Sequence, residues 1–303
     1  MLGAMPTDLT RRTVHRAGVD LAVFEGGDPA APTIVLVHGW PDTHWLWHGV
    51  MERLAREFRV VAFDLRGMGE SGDPGAVAGF TLVEMADDLF AVIDAVSPDE
   101  PVHVLAHDWG SVAVWEAVCR PGSEHRIASF VSISGPSLDH MGLWMKRSLR
   151  RPTPTAVGGL LAQVLSSWYL WLYLTPLARV FFGRFGTARR WGRFLRRIEG
   201  YDPEPWHHAP TLTRDMVSGL RIYRANVLSG LGGPRERRTA VPVLQVVPTR
   251  DIAIRGAGLR ESERWADQLE RREIPYGHWV ALGHPDVVAA EAARFFMAVA
   301  PHR

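Results

Sequence analysis

One stretch of this sequence places an acid where a nucleophile could stand. In Val102-His103-Val104-Leu105-Ala106-His107-Asp108-Trp109-Gly110-Ser111 an apolar run ends abruptly, and a helical pattern follows with Val112, Trp115, Val118 and Cys119 on one face. Strand, sharp turn and helix in that order form the context of a nucleophile elbow, where a strained turn pushes one side chain out over a sheet. Ala106, Gly110 and Ser111 are small, as the close approach of strand and helix backbones there requires. The residue at the tip is Asp108. A carboxylate is already ionised near neutral pH and needs no base to activate it, so an acid at this position points to attack by carboxylate on carbon. An aspartate that merely caps the following helix is the plainer alternative, but it does not require small residues on both sides.

Presenting such a side chain takes a buried sheet, and the rest of the chain supplies one. The 303 residues are ample for a sizeable core, and 47% apolar with 22% charged residues is a globular composition. A net charge of +1 gives no reason to expect nucleic acid as a partner. The single cysteine, Cys119, excludes a disulfide framework and a cysteine zinc site; it reads as a buried structural thiol in a reducing compartment. Residues 1–20 lack a signal-peptide pattern, so a cytoplasmic location is expected.

Residues 10–24, followed by a turn through Gly26-Gly27-Asp28-Pro29, read as a β-hairpin. The run 33–37 suits a strand buried on both faces, with further strands at 59–63, 102–107, 127–133, 241–247 and 272–274. Helical patterns fall at 46–56, 81–95, 259–270 and 286–299, and the glycine-rich segment 64–72 reads as a loop. This alternation predicts an α/β fold with a mostly parallel sheet covered on both faces. It stops between about 138 and 230, where the sequence is rich in Trp, Leu and Arg and helical throughout. The expected organisation is a core formed by 1–137 and 232–303, with 138–231 inserted as a helical cap.

The strings HGWPDTHWLW, DLRGMGESG, AHDWGS and a late GHW, in that order, resemble the α/β-hydrolase superfamily and, within it, the epoxide hydrolases. The resemblance covers nearly the whole chain. It implies an α/β-hydrolase fold, with an eight-stranded, mostly parallel sheet and a cap after the sixth strand. It also implies that Asp108 attacks an oxirane carbon to form an alkyl ester, which water then hydrolyses to give a diol. His278, after the last strand, matches the family's histidine; His284 is the decoy. Asp251, just past the 243–247 strand, matches the orienting acid, with Asp139 as the alternative. The backbone amides of Trp40 and Trp109 match the oxyanion hole. Tyr169, seven residues before Pro176, and Tyr223 in LRIYRANV match the cap tyrosines that protonate the epoxide oxygen. Tyr173 and Tyr201 are expected to pack. His38, Trp40, Trp109, Trp168 and Trp279 are the expected substrate-contacting residues. Ala106 and Ser111 depart from the outer glycines of the family's Gly-His-Asp-Trp-Gly-Gly, but both are small. No cofactor is expected, no dinucleotide-binding fingerprint is read in the chain, and the isolated pair His207-His208 is assigned no metal.

Two rivals stand beside that reading. A haloalkane dehalogenase would use the same aspartate, but it needs a second halide donor where Trp40 stands. A non-catalytic binding protein of the same fold would not need the Asp108, Asp251 and His278 set. Some bacterial relatives of this type are fused to a C-terminal short-chain dehydrogenase, so the chain is expected to be either free-standing or one domain of such a fusion. The cap adds a further expectation. Between Asp139 and Glu199 there is no acid, while Lys146 and arginines 147, 150, 151, 179, 184, 189, 190, 193, 196 and 197 are all present. Between Arg151 and Arg179 there is no charge at all, and prolines and glycines within that stretch argue against a membrane-spanning helix. An apolar yet cationic cap suits a lipid-like epoxide and peripheral contact with a membrane surface; the plain alternative is a solvated basic face. The oligomeric state is not legible.

Overall fold

A computed structural model describes residues 9–201 and 209–299. Strands β1 (Thr10–Arg16) and β2 (Val19–Gly26) form the antiparallel hairpin. Its turn is at Ala17-Gly18, both at positive φ, and the 26–29 segment instead leads out of β2. β3 (Thr33–Val37) and β4 (Arg59–Phe63) follow, separated by a short 3₁₀ turn and helix α1 (His48–Leu54). Helix α2 (Leu82–Val96) leads to β5 (Val102–His107), helix α3 (Asp108–Val118) and β6 (Ile127–Ile133). Six helices come next: α4 (Leu138–Arg150), α5 (Pro154–Ser166), α6 (Trp168–Tyr173), α7 (Pro176–Phe185), α8 (Ala188–Glu199) and α9 (Leu212–Gly232). The sheet resumes with β7 (Val243–Pro248), the one-turn helix α10 (Gly256–Leu259) and β8 (Leu269–Ile274). The short α11 (Val280–Gly283) and α12 (Pro285–Ala298) close the described chain.

The eight strands lie in the order β1-β2-β4-β3-β5-β6-β7-β8, with every pair from β4 onward parallel. β3, β5, β6 and β7 are buried at every position. This is why they read as continuous apolar runs and not as alternating ones: helices cover both faces of a parallel sheet. The strand order reverses around β3, where β4 lies on one side and β5 on the other. In open α/β sheets, crevices form at the carboxyl ends of strands beside such a reversal. Between β7 and β8 the structure differs from the sequence reading. The expected 259–270 helix is only α10 plus a 3₁₀ turn at Arg260–Arg264, and β8 starts at Leu269, three residues earlier than expected. Glu261, Glu263 and Arg264 gave the segment a helical composition, but Trp265 and Asp267 pair with the backbone of Thr239 (2.9 and 3.0 Å), which draws the chain into an extended path before β8.

At the β5–α3 junction Asp108 has φ = +50°, the left-handed region that a residue with a Cβ seldom enters. The strain is held by packing. A Cβ on Gly110 would meet the carbonyl oxygens of Val37 and His38 well inside contact distance, so α3 starts directly against the end of β3. Ser111 is fully buried and donates to the Gly135 carbonyl at 2.8 Å, a bond that the family's usual glycine could not make. Replacing Gly110 with alanine should therefore cost about 1–3 kcal/mol by overpacking against backbone that cannot move aside. The expected result is a lower urea midpoint at unchanged slope; an unaltered midpoint would show that the elbow tolerates a Cβ there.

Candidate active site

Asp108 stands at the top of the elbow. Its Oδ1 accepts a hydrogen bond from the Trp40 backbone N–H at 2.8 Å, and its Oδ2 lies 3.6 Å from Nε2 of His278. On the other side of the imidazole, Nδ1 donates to Asp251 Oδ2 at 2.9 Å. Asp251 follows directly on the end of β7, and its Oδ1 accepts from the amides of Ala253 (2.7 Å) and Ile254 (3.0 Å). These bonds orient the carboxylate before it meets the ring. The sequence alternative, Asp139, is elsewhere: it accepts from the Arg235 amide at 2.8 Å and from its guanidinium. His278 is also held from behind, because Nε2–H of His107 donates to its carbonyl at 2.9 Å. His284 packs on Tyr276, with ring centroids 4.3 Å apart, and does not reach Asp108.

The charges explain one another. Burial pulls the imidazolium of His278 down, but Asp251 and Asp108 on its two sides outweigh it and leave it well above the usual histidine range. Burial alone would raise Asp251, yet His278 and the two loop amides hold it below the ordinary carboxylate range. For His107 burial, with His278 beside it, outweighs the same two carboxylates and takes it down to about 4, so it is a neutral peg. Asp42, two residues past Trp40, is fully enclosed; burial pushes it up to about 7 despite a 3.1 Å hydrogen bond from the Trp279 indole.

Above Asp108 and His278 lies a cavity of about 470 Å³ whose far wall comes from α6 to α9. Tyr169, Tyr173 and Tyr223 all line it, in one aromatic cluster with Trp40 and Phe182. Burial and then the charge of Asp108 raise all three phenols, so they stay protonated donors at neutral pH. Tyr173 is thus a wall residue and not mere packing. Its signal was the i, i+4 spacing from Tyr169, which sets the two on one helix face. Trp40, Trp168 and Trp279 also line the cavity. Two expectations are corrected. His38 is fully buried below the site: Nε2 accepts from the Leu65 amide (2.9 Å) and Nδ1–H donates to the Gly39 carbonyl (2.8 Å), so it fixes the loop and touches no cavity. The Trp109 indole likewise stands behind the wall, edge-on to Tyr223 with centroids 4.8 Å apart.

The polar side of α5 pins the loop that carries Asp251. Ser166 donates to the Ile252 carbonyl at 2.5 Å, and Gln163 bridges the Ala253 carbonyl and the Arg255 amide. Glu199, at the end of α8, lies over Gly277 and accepts from the backbone of Trp279 and His278. Sequence patterns gave no signal for either contact, since both depend on tertiary placement. Among the described residues no cluster of three or more His, Cys, Asp or Glu side chains could hold a metal ion; His207 and His208 lie outside them. Gly67–Gly72 does spell the Gly-x-Gly-x-x-Gly spacing, a correction to the sequence reading. Here, however, the loop closes on itself (Gly67 N to Gly72 O, 2.8 Å), packs Gly69 on the Asp64 carboxylate and opens no α-helix, so it lacks the strand–turn–helix cradle for a pyrophosphate. Cys119 is buried and its thiol is pushed up to about 12 by that burial, an inert core residue.

Comparison with known proteins agrees with this geometry. Mycobacterium tuberculosis "Probable oxidoreductase EphD" is 41% identical over 284 residues, 92% of this chain and 48% of that protein. "Epoxide hydrolase A" of the same organism is 36% identical over 130 residues, 43% of this chain and 39% of that one. The chain thus spans about half the length, or less, of these curated relatives. A solved structure described as novel epoxide hydrolases of the alpha/beta hydrolases superfamily from hot-environment metagenomes superposes with a TM-score of 0.78 at 22% identity, covering 97% of this chain and 99% of that one. The family described as alpha/beta hydrolase fold matches residues 32–285. With that match over most of its length, and with the sheet order and elbow described above, the chain belongs to the alpha/beta hydrolase fold family.

Proposed function

We propose that this chain is a cofactor-independent epoxide hydrolase that opens an oxirane to a vicinal diol through an ester on Asp108. The observation that carries the reading is the meeting in one cavity of a carboxylate at the elbow tip, a histidine–aspartate pair beside it and protonated cap tyrosines opposite. In this scheme Asp108 attacks an oxirane carbon, the C–O bond breaks, and Tyr169 and Tyr223 supply the proton to the departing oxygen. His278, held by Asp251, then takes a proton from water as it adds to the ester carbonyl. The Trp40 amide already touches Asp108 Oδ1, the oxygen that would become the oxyanion, and the Trp109 amide is the second proposed donor. The name of one relative, "Epoxide hydrolase A", and the description of the solved neighbour support the substrate class, as does the mostly apolar, aromatic wall; the more extensive relative is named an oxidoreductase. An apolar, lipid-like epoxide fits that wall best. We further propose that 138–231 acts as the cap of a core made from 1–137 and 232–303, and that the chain works in the reducing cytoplasm.

The halide reading has less support. The Trp40 indole, which would have to face a departing halide, donates instead to the Met216 carbonyl at 3.0 Å, and the Trp109 indole does not line the cavity. A halide also leaves without a proton, which gives three protonated tyrosines nothing to do.

The deciding measurement is a single turnover in heavy-oxygen water. Label should enter Asp108 and not the diol; label in the diol alone removes the ester from the scheme. His278→Gln should slow ester hydrolysis by roughly 10²–10⁴-fold while leaving the alkylation burst, so that the ester accumulates for mass spectrometry.

Tyr169→Phe and Tyr223→Phe should each reduce alkylation by about tenfold, and the double variant by about 10²–10⁴-fold, with ester hydrolysis unchanged. Equal losses in both half-reactions would argue for a packing role.

The pH dependence follows from the two carboxylates that flank the ring. His278 must be neutral to act as a base, so ester hydrolysis should fall as pH drops through its pKa. Esterification cancels the Asp108 charge, which lowers that pKa from its raised resting position, while Asp251 still holds it up. Asp251→Asn should therefore shift the acid limb of ester hydrolysis to lower pH as well as slow the step; an unmoved limb would show that Asp251 does not act through His278.

A further inference from the structure

The helices over the cavity bury the wrong faces for a protein surrounded only by water. In α5 the buried side chains are Gln163 and Ser166, while Leu161, Val164 and Leu165 point outward. Helix α6 half-buries Tyr169, Leu170, Leu172 and Tyr173 but leaves Trp168 and Trp171 67% and 69% exposed. Helix α7 turns Ala178 and Phe182 inward but leaves Leu177, Val180, Phe181 and Phe185 out. Spacings of three and four make each set a continuous stripe. Scattered surface apolar residues need no explanation, but stripes on successive helices form a patch that marks an interaction site.

Two further observations identify what covers it. The mouth of the cavity lies in the patch, since the exposed Trp168, Phe181, Phe185 and Phe194 also line the cavity. Beside it, α8 buries Trp191 and Leu195 and turns its arginines to solvent. Among the described residues Arg184, Arg189, Arg190, Arg193 and Arg197 have no carboxylate within ion-pair distance, and Arg190 lies 4.6 Å over the Phe185 ring at the mouth. No acid occurs between Asp139 and Glu199 to neutralise them. A second copy of this chain fits poorly, because a two-fold contact pairs this face with itself, and the face offers no acid between Asp139 and Glu199 to meet the arginines. Apolar stripes bordered by unpaired cations match the interface of an anionic bilayer, where the acyl boundary takes the apolar side chains and the headgroups take the charges.

We propose that the outer face of α5–α8 is a docking surface for anionic lipid bilayers, with the cavity mouth opening into the contact. No helix among the described residues is long and apolar enough to cross a membrane, so the contact is peripheral. This docking does not depend on the reaction assigned above, and its test needs no turnover. The test is co-sedimentation with vesicles of phosphatidylcholine alone or mixed with phosphatidylglycerol, at low and high salt. The chain should sediment with the anionic vesicles at low salt, at least about tenfold more strongly than with neutral ones, and be released as salt screens the charges. Two double variants avoid the cavity lining: Leu165→Ser with Trp171→Ser, and Arg189→Glu with Arg193→Glu. Each should lose about tenfold or more in partitioning at an unchanged unfolding midpoint. A chain that stays in the supernatant with anionic vesicles at low salt overturns the proposal. So does equal binding to neutral vesicles, or a dimer in solution that the serine variant dissociates while vesicles take up none.

Discussion

The site depends on one local constraint, the close approach of three backbone segments around a strained residue. Asp108 sits at φ = +50°, with α3 driven against the end of β3 beneath it and the loop after β3 folded over it. A Cβ on Gly39 would strike the Asp108 carboxylate itself. This crowding brings the Trp40 amide within 2.8 Å of Oδ1 and turns Oδ2 toward His278. Without it Asp108 would relax into an ordinary cap at the start of α3, and the carboxylate would lose both partners. The backbone strain and the aim of the Asp108 carboxylate are therefore one feature, held by packing among the end of β3, the loop after it and the start of α3.

The electrostatics follow from that aim. A lone imidazole this deeply buried would be neutral, as His107 is one strand end away. His278 has a carboxylate directly against each ring nitrogen, and their joint effect reverses the sign of its shift. One of those carboxylates is held in its charged form by the ring and by two loop amides, whereas the other is the group proposed to be esterified. Chemistry at Asp108 would thus alter the basicity of its neighbour in the direction the next step requires, with no movement of either residue. Asp42, enclosed on the far side of Trp279 and titrating near 7, adds a third acid to this field, though its contact is with the indole and not with the ring of His278.

What could be read from sequence divides along physical lines. The buried parallel strands were legible to the residue at β3, β4 and β6, because a strand covered on both faces must be apolar throughout. The elbow was legible because its geometry admits so few residue types. The 259–270 segment is not legible as non-helical, since its composition is helical and only the pairing of Trp265 and Asp267 with Thr239, distant in sequence, draws it out of the helix. Side-chain direction was the least legible. His38 and Trp109 occupy motif positions beside the site, yet each points away from the cavity, and Tyr173 was set aside although it shares a helix face with Tyr169. A motif fixes where the backbone passes; which way a side chain turns is decided by neighbours distant in sequence, as Met216 is for Trp40.

Helix α5 shows how one helix can serve two surroundings. Gln163 and Ser166 spend the polar face of α5 on the carbonyls and amide of 252–255, the loop whose other side holds Asp251. Those backbone groups, half-buried at the exit from β7, take their side-chain partners from α5. Satisfying them forces polar residues inward, and the 3.6-residue period then leaves the apolar residues of the same helix outward. The outward stripe is thus partly a geometric consequence of stabilising the Asp251 loop. That argument does not extend to α7, whose inner face is apolar as well and whose outer Leu177, Val180 and Phe181 answer to no such demand. A helix apolar on both faces is expected only where both faces meet something other than water, which makes α7 the more telling of the two.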